Sequence, residues 1–142
     1  MITYPVIFEG SAESVSGMNL PWQTVTSSMP SPCSIPKSFE GPGGTHSPED
    51  FFLLALQNCF IATFKVFAEY SRLSYVSLKV DAKLTVDKDE SGKPWLPKIN
   101  LHIRIHGTDN VKKAQLLVSK TLENGFILRS VKTEVIPTVE IL

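Results

Sequence analysis

The sequence predicts an α+β fold, with antiparallel sheet packed on one long central helix. Three observations carry that prediction. Residues 47–71 form a nearly unbroken apolar run opened by a helix start signal. Residues 76–86 and 99–105 alternate apolar and polar with period two, as half-buried strands do. Residues 110–124 repeat their apolar positions at helical spacing and stop at Gly125.

Taken in order, residues 2–8 (ITYPVIF) are rich in β-branched and aromatic side chains and read as a strand, with Pro5 favouring an edge position. After Gly10 and Gly17, QTVTSS reads as a further strand, so the N-terminal part is expected to be a meander of two or three strands. Residues 29–46 carry Pro30, Pro32, Pro36, Pro42, Gly41, Gly43 and Gly44 and read as one long loop, of a length that suggests function or docking. Ser47 then suits a helix cap, Pro48 the first helical position, and Glu49 and Asp50 the positive end of the helix dipole. The helix that follows is apolar on nearly every side and should be buried on every side. At ~1.5 Å per residue it would be on the order of 36 Å long, so it should run through the middle of the fold. Gln57, Asn58 and Lys65 lie inside it, which argues against a membrane span. Val76 to Val86 and Ile99 to Ile105 read as two strands joined by the polar turn DKDESGKP. Thr108 or Asp109 is expected to cap the second helix, and Val131 to Leu142 to close the chain as a last strand. One two-layer domain covers one side of the long helix only. A homodimer with the two long helices packed together would cover the rest.

Length and composition set the remaining bounds. The 142 residues predict a single domain spanning 1–142. Basic and acidic residues balance at 14 each, which argues against a nucleic-acid partner and leaves little charge repulsion against self-association. Two cysteines, Cys33 and Cys59, are no disulfide framework, and no basic segment followed by an apolar core opens the chain, so a reducing cytoplasmic location is expected. No zinc spacing, phosphate loop, dinucleotide fingerprint or nucleophile elbow occurs, so neither a metal nor a cofactor is expected.

Cys59 is the first residue to weigh for chemistry. Its neighbours one helical turn away are Ala55, Leu56, Ala62 and Thr63, none of them charged. A thiol in such surroundings reads as a core cysteine unless an activating group arrives from elsewhere. Glu49 reads as a helix N-terminal carboxylate. It stands ten residues upstream, ~15 Å along the axis, so it would reach Cys59 only from a partner chain. His46 reads as a solvated loop histidine. His102 and His106 share a strand face with Arg104 but stand ~13 Å apart, too far for one metal.

The stretch GGTHSPEDFFLLALQNCF resembles the signature of the OsmC/Ohr family: Gly43 and Gly44, the Pro48–Glu49 pair opening a long helix, then Ala55, Leu56 and Cys59. The order of elements is similar over the whole chain, including the closing GFILRSVKTEV. The resemblance implies an intertwined α+β homodimer with the central helices at the interface. It implies thiol peroxidase chemistry, in which Cys59 attacks an organic hydroperoxide, Glu49 belongs to the active site and a dithiol restores the sulfur. His46, Phe52 and Phe60 are taken as lining the pocket. Two features depart from the family pattern. Gly125 stands where the second cysteine belongs, and no arginine precedes Arg72, although the family's peroxidases activate the cysteine with an arginine from the N-terminal loops. A one-cysteine route, with an external thiol resolving the sulfenic acid, is then chemically allowed, and Cys33 acting as a substitute resolving thiol is the other route. The alternative is a non-catalytic protein that binds an apolar small molecule on the same fold.

Overall fold

A computed structural model describes residues 3–5, 9–13, 20–26 and 29–142. The chain divides into two compact units, Met1–Phe51 and Phe52–Leu142.

In the first unit, β1 (Gly10–Glu13), β2 (Trp22–Thr26) and β3 (Met29–Cys33) form an antiparallel meander in the order β1-β2-β3. Of the strand expected over 2–8, residues 2 and 6–8 lie outside the described residues, and 3–5 are not strand. The long loop expected over 29–46 is shorter than its composition implies, because its first five residues form β3. Pro30 and Pro32 are tolerated there because β3 is the last strand of the sheet, and two prolines two residues apart place both missing N–H groups on the same side.

The rest of the loop is tied to itself. Ser34, fully buried, donates from Oγ to the Gly43 carbonyl at 3.1 Å, pairs with Thr45 Oγ1 at 2.7 Å, and donates its N–H to the His46 carbonyl at 3.0 Å. Gly41 is required by close approach: a Cβ there would lie 2.1 Å from the Ile35 carbonyl oxygen. Ser47 and Asp50 then form a reciprocal cap. Asp50 N–H donates to Ser47 Oγ at 3.1 Å, and Ser47 N–H donates to Asp50 Oδ2 at 2.8 Å.

This cap opens α1 (Pro48–Tyr70). Its fully buried positions are Leu56, Phe60, Phe64 and Ala68, a single stripe at every fourth residue. The expected burial on all sides is therefore not met within one chain: Val66 is 50% exposed and Tyr70 83%. The polar residues inside the helix are satisfied, since Gln57 Nε2 donates to the Val80 carbonyl at 2.6 Å and Asn58 Nδ2 to the Leu54 carbonyl at 2.8 Å. Among the described residues α1 is the one helix long and apolar enough to cross a membrane by length and composition.

In the second unit β4 (Ser77–Lys88), β5 (Pro94–His106) and β6 (Glu134–Ile141) form a sheet in the order β4-β5-β6. β4 and β5 are the expected hairpin, but β6 pairs parallel to β5, from Lys98↔Glu134 to Ile105↔Ile141. The sheet is thus mixed, not antiparallel throughout. A parallel neighbour needs a crossover, and α2 (Val111–Asn124) supplies it. β5 lies between two strands, so Ile99, Leu101, Ile103 and Ile105 are all fully buried, packed in one apolar cluster with Leu56, Phe60 and Phe64 of α1 and Ala114, Leu117 and Val118 of α2. The opposite face is polar: Arg104 Nε and His102 Nε2 both reach Glu140 Oε2, at 3.1 and 2.5 Å. Those two bonds, His102 first, hold the Glu140 carboxyl below its ordinary range.

Asn110, one or two residues later than expected, caps α2, with Oδ1 accepting from Lys113 N–H at 3.0 Å. Asn110→Ala removes that acceptor and is expected to lower unfolding stability by about 1 kcal/mol, as read by urea denaturation.

Candidate active site

Cys59 lies in the fourth turn of α1, one position before the buried Phe60, so its side chain leans off the core stripe. It is half-buried, packs against the apolar cluster and is a free thiol. Two neighbours define the surroundings of its sulfur. Thr63, one turn further along α1, places Oγ1 4.0 Å from Sγ. On another side the turn that ends α2 comes down on the sulfur at Gly125.

Gly125 explains itself only at this point. A glycine ending a helix is expected in the left-handed conformation. Gly125 instead has φ −57°, which any residue adopts, and its N–H donates to the Thr121 carbonyl as an ordinary helical bond at 2.9 Å. Close approach is what the position demands: a Cβ there would lie 2.8 Å from Leu128 Cδ1, 3.2 Å from Thr121 O and 3.2 Å from Cys59 Sγ. Gly125, singled out in the sequence for its expected place in the family pattern, is thus in contact with Cys59. No hydrogen bond or ion pair to Cys59 Sγ from a cationic side chain occurs among the described residues.

The first unit holds the other candidates. Glu49 is half-buried, and its Oε2 is shielded from solvent without a hydrogen-bond partner among the described residues. Cys33 is 2% exposed at the end of β3, bridged to His46. Burial pushes its thiol up, opposed by the Ser34 backbone bond and reinforced by the negative charges of Glu49 and Asp50. A buried thiol with raised pKa is a poor nucleophile. His46 is exposed, its ring 5.4 Å from that of Phe51. In the second unit, Phe52 packs at the margin of the apolar cluster. Phe60 is fully buried and stacks on Phe64 at 6.0 Å, so its ring serves the core. Thr63 was not among the residues expected at the site. Its spacing of four from Cys59 was visible, but a threonine in an apolar helix carries no signal of its own. Among the described residues no group of three or more His, Cys, Asp or Glu side chains could hold a metal.

The OsmC-like protein family model matches residues 41–140, which include the helix, its cysteine and Gly125. The chain belongs to the OsmC-like family. Solved structures carry the same fold. An OsmC-like protein of unknown function from Vibrio cholerae superposes with TM-score 0.82 at 19% identity, covering 96% of this chain and 100% of that one. An OsmC-like protein from Mycoplasma pneumoniae gives TM-score 0.80 at 15% identity, covering 96% and 98%. An organic hydroperoxide resistance protein from Legionella pneumophila gives 0.78 at 19% identity, covering 98% of each chain. No curated protein matches the sequence. At these identities the likeness speaks for the fold of this OsmC-like chain; its chemistry has to be argued from its own residues.

Proposed function

We propose that this protein is a one-cysteine, thiol-dependent reductant of organic hydroperoxides. The observation that carries the reading is the Cys59 sulfur: a free, half-buried thiol bordered by apolar side chains on the central helix of an OsmC-like chain, and we read it as the family's attacking cysteine from the sequence resemblance. The ionised sulfur attacks the distal oxygen of the hydroperoxide. An S–O bond forms and the O–O bond breaks. The sulfur is oxidised to the sulfenic acid, and the peroxide leaves as an alcohol carrying the proton that the thiol gave up. With Gly125 in place of a second cysteine, an external thiol condenses with the sulfenic acid to a mixed disulfide and water. A second equivalent releases Cys59 and a disulfide of the reductant.

A second copy of the chain completes the site in this reading. The apolar flank of α1 left exposed at Val66 and Tyr70 supports a homodimer, and Glu49, with an unspent buried acceptor, is the polar group the second copy contributes. A reducing compartment such as the cytoplasm suits a mechanism that depends on free thiols. Zero net charge favours a small-molecule substrate over a nucleic acid or an anionic membrane surface.

The test is the mass of the intact protein after dilute alkyl hydroperoxide with a dimedone-type sulfenic-acid trap. One rapid adduct, mapping to Cys59, is expected. No adduct would leave the second reading, an apolar-ligand protein without catalysis. That reading is favoured by a groove of about 390 Å³ between α2 and β6, lined by apolar side chains that include Val118, Leu122, Val139 and Ile141 together with the polar Gln115 and Ser119.

A further inference from the structure

We infer that Thr63 is a catalytic residue of the Cys59 site, its hydroxyl donating to the sulfur as charge builds there and then to the oxygen of the sulfenic acid. The inference rests on the peroxide chemistry proposed for Cys59. A threonine inside a helix ordinarily turns its hydroxyl back onto the carbonyl one turn earlier. Thr121 does this in α2, donating to the Leu117 carbonyl at 2.6 Å. Thr63 does not. Among the described residues its hydrogen-bond partner is Cys59 Sγ, at 4.0 Å, and the carbonyl of Cys59 receives nothing from it. Among the described residues the hydroxyl therefore has no bond to the helix backbone and stands beside the sulfur, where either atom can donate in the neutral pair and the hydroxyl alone can donate once the sulfur is ionised.

The surroundings give that proton weight. No cationic side chain is bonded to Sγ among the described residues. Gly125 closes another flank with backbone and no donor side chain, the Thr121 carbonyl oxygen standing 3.2 Å from where its Cβ would be. Among the hydrogen bonds of the described residues, the Thr63 hydroxyl is the one side-chain group within reach of the sulfur that can donate to it. A contact of 4.0 Å is long for the neutral thiol. A thiolate draws a donor closer, and catalytic hydrogen bonds commonly tighten as the reaction proceeds. The balance of the step is the one given above: the thiol proton leaves with the alkoxide as alcohol, and Thr63 keeps its own proton throughout, donating a hydrogen bond and exchanging nothing.

Thr63→Val keeps the shape and removes the hydroxyl; Thr63→Ser keeps the hydroxyl and removes the methyl. The rate of Cys59 alkylation by iodoacetamide, followed by mass on the Cys59 peptide, reads the nucleophile without peroxide. Thr63→Val is expected to slow it about tenfold, and Thr63→Ser to restore it to within about twofold of the parent chain. Formation of the trapped sulfenic acid with an alkyl hydroperoxide should follow the same order. Equal alkylation rates for Val and the parent would overturn the inference, as would a Ser variant no faster than Val, which would assign the effect to packing. A Thr63→Ala variant serves the same comparison if Val does not fold. Should the parent alkylate in the expected order yet form no trapped adduct, the peroxide reading fails while the hydrogen bond stands.

Discussion

Cys59→Ser is expected to abolish turnover of an alkyl hydroperoxide, leaving the rate of reductant and peroxide alone. The serine hydroxyl fits the space and keeps a contact with Thr63, but oxygen has no accessible sulfenic-acid state, so the two-electron step has no place to occur. The fold should be unaffected, because position 59 lies beside the buried stripe of α1 and not on it. Cys33→Ala makes the comparison informative. Cys33 is 2% exposed and its thiol is pushed up by burial and by two neighbouring carboxylates, so it is expected to take no part. Turnover should survive its removal. A coupled assay of peroxide consumption decides the matter: full activity in Cys59→Ser, or activity lost with Cys33 alone, would reassign the reactive thiol.

Gly125→Cys is expected to form a disulfide with Cys59 on mild oxidation. The built Cβ at position 125 lies 3.2 Å from Cys59 Sγ, close to the ~3 Å between a Cβ and the far sulfur of a disulfide. The backbone at φ −57° accepts a cysteine without strain. Two contacts must give: Leu128 Cδ1 at 2.8 Å, the far end of a flexible side chain, and the Thr121 carbonyl oxygen at 3.2 Å, which needs a shift of a few tenths of an ångström. Of the three thiols of the variant, one, Cys33, should remain after one equivalent of hydroperoxide, with a mass lower by two hydrogens. In the chain-entropy account, cross-linking a loop of this length adds about 4 kcal/mol of stability against the reduced form. Three free thiols after oxidation would show that the turn after α2 does not sit on the sulfur as described. Resolution should also change character, an internal bond replacing the mixed disulfide with external thiol.

The cap of α1 was legible because it is local: Ser47, Pro48, Glu49 and Asp50 carry the start signal within four residues, and Ser47 and Asp50 bond each other as that signal implies. The hairpin of β4 and β5 was legible for the same reason, its alternation and polar turn being written in sequence. β3 was missed because prolines usually exclude strand, and only its place at the edge of the sheet makes Pro30 and Pro32 acceptable. Cys59 was found as a candidate and Thr63 as one of its helical neighbours, but which groups its sulfur meets was not. That Thr63 Oγ1 lies 4.0 Å from the sulfur, and that a Cβ on Gly125 would lie 3.2 Å from it, is seen only in the folded chain.

By itself the sequence determined the α+β class, the long apolar helix and the following strands and helix, and it singled out the thiol on which the proposed chemistry turns. Capping, periodicity and residue chemistry act over a few neighbouring positions, so the linear order records them. Only the tertiary structure decided that β6 runs parallel to β5. An alternating strand looks the same in either direction, and its partner's polarity depends on where α2 returns the chain. Only the tertiary structure decided that one stripe of α1 is buried within the chain. And it alone brought Gly125 against Cys59, since a contact between residues far apart in sequence arises from packing, which no local pattern encodes.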